Sequence, residues 1–357
     1  MLYIDRTLPQ VVSARAEHLR FVKCRINKKL HHITCGNANC PVCTTTRNLN
    51  NQSQATLNLA AVLSIDDYLE NIIDGEPDEL FFWSNLLWES LVPGFNWGTT
   101  GYQEYLRINR IKLAERLQAE KDFHEPYDSA RKAFLLAFEY DNWFGGDEND
   151  RYDAYKLALN LDRNTCTYCN RIYTHSTKGA NKSKLMRPQY DHWFAQNKHP
   201  ALALSFFNLI PSCSICNSSI KGKLDFTLGT HLHPYLDIDC QDKFIYSYKY
   251  NRSTKKYNVT IESTDLGEPK IQKTFEELKL RDVFDTHHSE LGDLIKIKKA
   301  YSATYIKKMM STFPKMHLSE KEVYRLAFGV EFEGKDFYKR PLSKFKKDIL
   351  KELKIVK

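Results

Sequence analysis

Apolar residues recur every three or four positions over much of the first half of the chain, and that spacing predicts helices. Leu57 to Leu63 carry it, as do Leu106, Leu113 and Leu117, and then Phe134, Leu135 and Phe138. Residues 51 to 141 therefore read as helical, with Pro126 where a helix could start. The pattern breaks at Gly145-Gly146-Asp147-Glu148-Asn149-Asp150, and a boundary is expected there. Tyr152 to Leu161 predicts one more short helix. After it, His175 to Met186 reads as a basic loop rich in Gly, Ser, Asn and Lys. Gln189 to Phe194 and Phe207 to Pro211 read as short strands. Ser212 stands where it could cap a helix carrying Cys213, Cys216, Asn217 and Lys221. Phe244 to Tyr250 alternates aromatic residues with others, and Tyr257, Val259 and Ile261 repeat this after Asn251-Arg252-Ser253-Thr254, a hairpin signal. From Phe275 the helical pattern returns and ends in the basic stretch Lys344 to Lys351.

Length and charge refine this outline. A chain of 357 residues is long for one core, so two or three units are expected. The pattern divides it into an entry segment (1–50), a helical region (51–146), a central module (147–236) and a hairpin with a basic helical end (237–357). The net charge is +8, and residues 290–357 hold all of it, with 17 Lys/Arg against 9 Asp/Glu. A basic end suits a polyanion such as DNA or RNA. The plainer reading, favoured by composition alone, is a solvated Lys-rich helical face. No apolar run is long enough to span a bilayer, and Met1-Leu-Tyr-Ile-Asp-Arg6 lacks the character of a secretory signal. A cytoplasmic protein with reduced thiols is expected.

Nine cysteines sharpen the chemistry. Cys166-Thr-Tyr-Cys169 and Cys213-Ser-Ile-Cys216 are two Cys-x-x-Cys knuckles, the spacing of a tetrahedral Zn²⁺ site. Between them lie Tyr190-Asp191-His192-Trp193 and Asn208-Leu209-Ile210-Pro211, and Asn217 and Lys221 follow. A carboxylate for a hard cation and an imidazole to activate water are what a metal-dependent nuclease needs. Cys35, Cys40 and Cys43 form a second cluster, a tentative second zinc site that Cys24, His31 or His32 could complete.

The order Cys-x-x-Cys, Asp-His, Asn, Cys-x-x-Cys-Asn, Lys over residues 160–236 resembles the HNH endonuclease family in its zinc-stapled form. The resemblance implies an α+β, mostly α chain, in which a small zinc-bound ββα-metal module is flanked by helical regions and a β-hairpin. It implies His192 as general base and a divalent metal, Mg²⁺ or Mn²⁺, held by Asp191 and Asn217. Asn208 would hold the loop after His192. Zinc on Cys166, Cys169, Cys213 and Cys216 would be structural. Lys221, Arg187 and His175 are candidates for phosphate contact, with a solvated surface role as the alternative. The substrate class implied is DNA, with RNA as an alternative. Similar proteins carrying Asn-Leu-Ile-Pro-Ser-Cys and His-Pro-Tyr serve as effectors in prokaryotic anti-phage defence, often beside an ATPase, and this is the partner expected.

Two rival functions remain in view: a non-catalytic zinc-dependent nucleic-acid-binding or scaffold protein, and a toxin nuclease delivered to competitors. Several weaker signals read as structure. His231-Leu232-His233-Pro234-Tyr235 could add a metal ligand, but a turn that packs Tyr235 is the favoured reading. Cys240 has no partner in view, and His287-His288 reads as surface. The stripe Phe244, Tyr246, Tyr248, Tyr250 and Tyr257, interleaved with Lys249, Lys255 and Lys256, could stack on bases, but a sheet face packed on a core is favoured.

Overall fold

Most of the periodic apolar stretches of the first half become helices, but Leu106, Leu113 and Leu117 do not share one: the helix of Leu106 ends at Asn109, and Leu113 and Leu117 stand exposed before the next. The computed structural model describes every residue except 66, 93, 96–100, 147–151, 179–183, 266–267, 301–317 and 357. Helix α1 (Pro9–Ile26) opens with proline in its first turn, where a missing N–H goes unneeded. It is followed by α2 (Pro41–Thr45), α3 (Gln54–Leu63), α4 (Tyr68–Asp74), α5 (Pro77–Leu91), α6 (Gly101–Asn109), α7 (Gln118–Ala137) and α8 (Ala154–Leu161). Ser53 caps α3, its hydroxyl accepting from the Thr56 N–H at 3.2 Å. Pro126 lies inside α7 rather than at its start. The helix begins upstream because the Glu120 carboxylate accepts the Leu117 N–H at 2.9 Å, and Tyr127, Ala130, Phe134 and Ala137 bury its apolar face beyond the proline. Trp88 of α5 stacks on Tyr127 with ring centroids 4.5 Å apart.

Helix α1 ties this helical part to the central module. His18, fully buried, bonds Tyr152 Oη through Nδ1 (2.9 Å) and the Leu204 carbonyl through Nε2 (2.7 Å). The first residues join in, since the Leu2 N–H donates to Thr167 O at 2.8 Å and the Ile4 N–H to Pro234 O at 2.9 Å.

The central module holds two short antiparallel pairs. Strands β1 (Thr177–Lys178) and β2 (Lys184–Met186) pair at the two ends of what reads in sequence as an unstructured loop; its middle, like part of the boundary expected at residues 145–150, lies outside the described residues. Strands β3 (Gln189–His192) and β4 (Leu209–Ser212) pair in the register Gln189↔Ser212 to His192↔Leu209. Ser212 ends β4 and caps nothing. The helical turn after it is π-helical, spans Ile215–Lys221, and closes at Gly222, whose φ of +48° turns the chain away.

The C-terminal part is built on the hairpin β5 (Phe244–Asn251) and β6 (Lys256–Ser263). Phe244 and Tyr246 point inward, packing on Phe275 and on Phe284 and Phe345, whereas Tyr250 at the far end is half exposed. Helices α9 (Pro269–Glu277), α10 (Leu280–Asp285), α11 (His288–Ala300), α12 (Glu320–Phe328) and α13 (Ser343–Glu352) complete the described chain. Ser319 and Glu322 form a capping box at α12, which ends at Gly329 with φ +69°. His287 is not simply surface: it lies half-buried between Arg171 and Glu290.

The basic stretch of α13 is only in part a solvated face: Lys351 is exposed, whereas three of its lysines turn to partners within the fold. Lys344 is buried and donates to Phe244 O at 2.9 Å and to Asp348 at 2.5 Å. Lys346 and Lys347 donate to the carbonyls of Phe328 (3.0 Å) and Phe332 (2.6 Å). Buried side-chain amines need such partners, and the backbone supplies them here. The protein is thus mostly helical with small antiparallel sheets. No helix among the described residues is long and apolar enough to cross a membrane.

Candidate metal sites and the His192 pocket

The two knuckles converge. The sulfurs of Cys166, Cys169, Cys213 and Cys216 lie within 4.8 Å of one another, and all four residues are buried. A tetrahedral zinc with Zn–S bonds of ~2.3 Å puts its sulfurs about 3.8 Å apart, so the group is a candidate zinc site. Hydrogen bonds among the four thiols hold Cys169 and Cys213 below the ordinary thiol value, while burial raises Cys166 and the same bonds raise Cys216. A second group consists of Cys24, Cys35, Cys40 and Cys43, again within 4.8 Å. Of the residues that could complete the N-terminal cluster, it is Cys24, in the last turn of α1, that lies there. Cys35 is exposed; its three companions are buried.

The first knuckle also reaches inward. Tyr168, inside it, donates its hydroxyl to Asp191 Oδ2 at 2.5 Å. Burial and then the Asp191 charge push the Tyr168 phenol well above its usual value, so it remains a donor. Lys221 Nζ lies 3.2 Å from Asp191 Oδ1 and donates to His192 O at 2.8 Å. Asp191 and Lys221 are both almost fully buried. Lys221 is therefore an internal partner of Asp191 and has no surface to offer a phosphate. Arg187 is similarly committed, to the carbonyls of Pro188 (2.9 Å) and Gly145 (3.0 Å). His175 is partly exposed and meets Tyr173 edge-on.

Strand alternation would put Asp191 and His192 on opposite faces. The strand ends at His192, and both residues border one pocket of about 360 Å³ together with Asn217, Asp141 and Tyr140. The His192 Nε2–H donates to the Ala203 carbonyl at 3.0 Å. Burial lowers the His192 pKa below the ordinary imidazole value, so the ring is neutral near pH 7. With Nε2 carrying the proton, the basic nitrogen is Nδ1.

Asn208 is fully buried and works on the loop rather than in the pocket. Its Oδ1 accepts the Phe194 N–H at 2.7 Å, and its Nδ2 donates to Phe194 O (3.2 Å) and Leu202 O (2.9 Å). The loop so closed presents the Ala203 carbonyl to His192. Asn217 sits one residue past Cys216 and donates from Nδ2 to Gln189 Oε1 at 3.0 Å. That bond leaves its amide oxygen as the acceptor at the pocket. The Asp191 carboxylate, whose two oxygens are engaged by Tyr168 and Lys221, and the Asn217 amide are oxygen donors of the kind a hard divalent cation takes, so the donor types fit the metal that the family resemblance implies.

His231 and His233 belong to the packing. His231 bonds Glu277 (2.9 Å) and stacks on Phe226, while His233 Nδ1 accepts from the Tyr235 N–H at 3.2 Å. Cys240 is buried, and burial pushes its thiol up to about 12. Sequence reasoning missed Tyr168, Gln189 and Tyr140. Tyr168 was signalled by its place inside a knuckle; Tyr140, far upstream, carried no signal. Comparison of the chain with family models, with curated proteins and with solved structures finds no match.

Proposed function

We propose that this protein is a metal-dependent endonuclease of the HNH type that hydrolyses phosphodiester bonds of DNA. One observation carries the reading: a neutral histidine, its Nε2–H given to the Ala203 carbonyl, borders the same pocket as Asp191 and Asn217. His192 Nδ1 takes the proton of a water aligned for attack on phosphorus. Asp191 and Asn217 would hold a divalent cation, which supplies charge for the pentavalent phosphorus and the leaving oxygen. Tyr168 and Lys221 hold the Asp191 carboxylate in place. Asn208 keeps the loop closed, and with it the carbonyl that fixes the histidine tautomer. Zinc on the two knuckles is structural, joining the turn of Asn217 to the region of Asp191.

Resemblance to effectors of anti-phage defence makes phage DNA the first substrate to try, and an ATPase the first partner. The test is plasmid cleavage with Mg²⁺ or Mn²⁺, with and without that partner, by wild type, His192→Ala and Asn217→Ala. Cleavage by wild type and its loss in both variants is expected. Equal cleavage by His192→Ala would overturn the mechanism. No cleavage of DNA or RNA under any of these conditions would favour a zinc-bound binding or scaffold protein.

A further inference from the structure

The turn that follows α7 lies far from the motif in sequence, yet Tyr140 and Asp141 line the His192 pocket. The Tyr140 ring meets the His192 ring edge to face, with centroids 4.5 Å apart and planes at 74°. Among the described residues the His192 ring makes one hydrogen bond, to the Ala203 carbonyl. A single bond anchors one ring atom and leaves the imidazole plane free to pivot about it. The Tyr140 ring takes up the space into which that plane would swing.

The turn itself is clamped. Glu139 Oε2 accepts from Arg25 Nη2 at 2.7 Å and from Lys29 Nζ at 2.6 Å, and both cations are buried. The Arg25 guanidinium also lies over Trp143, 4.5 Å from the ring centre. At the other end, the Gly145 N–H donates to Tyr140 O at 2.7 Å, and Arg187 Nη2 donates to Gly145 O at 3.0 Å. Phe144 packs edge-on against His18, with centroids 5.4 Å apart. So much fixation of a five-residue π-helical turn, Tyr140–Phe144, is more than a chain reversal needs.

We infer that Tyr140 is a positioning residue for His192, and that Glu139, held by Arg25 and Lys29, keeps it in register. The inference rests on the nuclease reading. It gives the entry segment a part in the active site, because Arg25 and Lys29 stand just after Cys24 of the N-terminal cysteine cluster. Tyr140 does not touch the reacting atoms in this account. It acts through the orientation of the imidazole.

Full-length Tyr140→Leu, Tyr140→Phe and Glu139→Gln proteins test it by plasmid cleavage and by the proton resonances of the His192 ring. Misplacing a catalytic group by about 1 Å can cost about 10²-fold. Tyr140→Leu is accordingly expected to lower kcat about 10²-fold with KM changed by less than about twofold. Tyr140→Phe restores wild-type values, and Glu139→Gln falls between. The His192 ring protons, which lie within the ring current of Tyr140, shift in Tyr140→Leu and stay in place in Tyr140→Phe. Wild-type kcat with unmoved resonances in Tyr140→Leu overturns the inference. So does a raised KM at unchanged kcat, which would make Tyr140 a substrate contact. Should Tyr140→Leu fail to fold, Glu139→Gln keeps the ring, loosens its clamp and carries the same two readouts. The resonances need no turnover, so a protein that cleaves nothing defeats the nuclease reading while the ring contact is still decided.

Discussion

Single residues near the pocket owe their roles to partners the linear motif does not reveal. Lys221 follows Asn217 closely in sequence and looks like a phosphate contact, but it is buried in an ion pair with Asp191. Removing one member of a buried pair strands the other charge in a dry site. Lys221→Met is therefore expected to lose about 3–5 kcal/mol of stability in urea denaturation; a loss below about 1 kcal/mol would show the pair to be solvated. His192 gives a second expectation. Burial lowers its pKa, so the base form persists at neutral pH and activity falls only as the pH drops through a value below the usual ~6.5. A pH profile of kcat/KM measures this, and an acidic limb centred above 6.5 would contradict it. Type and order single out Asp191, His192, Asn208 and Asn217 in the sequence; three of them border one pocket, and Asn208 ties the loop after His192. Tyr140 had no signature in the sequence, and Tyr168 only its place inside a knuckle.

At the scale of elements, what spacing encodes was readable and what packing encodes was not. Alternating aromatics gave the hairpin of β5 and β6, and the short apolar runs gave β3 and β4. Pro126 misled because helix α7 gains enough from its buried face to carry a proline, and Ser212 misled because β4 runs through it. The two cysteine groups, similar as words, differ in access. One is wholly buried, whereas the other includes the exposed Cys35. Zinc-loaded protein should hold two ions per chain by elemental analysis, and a chelator should extract them in two phases. Cys35→Ser should abolish the fast phase and leave the slow one; a single phase in wild type would show the groups to be equivalent. Asn208→Ala leaves the Phe194 N–H without its acceptor, and a cost of about 1–3 kcal/mol is expected in the same denaturation assay.

Across the whole molecule, buried histidines set the response to acid. Burial depresses His18 to about 4, and His199 and His233 to about 3. Each is neutral in the fold and takes a proton at ~6.5 once unfolded. The stability they represent is thus complete above pH ~6.5 and is lost as the pH falls from there towards 4. One pH unit of separation is worth about 1.4 kcal/mol, so His18 alone represents about 3 kcal/mol. Urea midpoints between pH 4 and 7.5 should rise with pH, less steeply in His18→Gln; equal slopes would remove His18 from the account. The excess of positive charge in residues 290–357 was visible in sequence, but not that Lys344, Lys346 and Lys347 of α13 turn inward to carbonyls.

Asn170, the residue after the first knuckle, receives the Leu342 N–H at its carbonyl (2.6 Å) and gives its amide to Phe337 O (2.9 Å). A search for a minimal nuclease by trimming the chain from its C-terminal end therefore has little room. Trimming the chain back past Phe337 takes Phe345 from the aromatic face of the hairpin and both of these partners from the residue next to Cys169. Such a fragment would be expected to shed its zinc before any cut in DNA could be scored, and a silent fragment of that kind would say nothing about where catalysis resides.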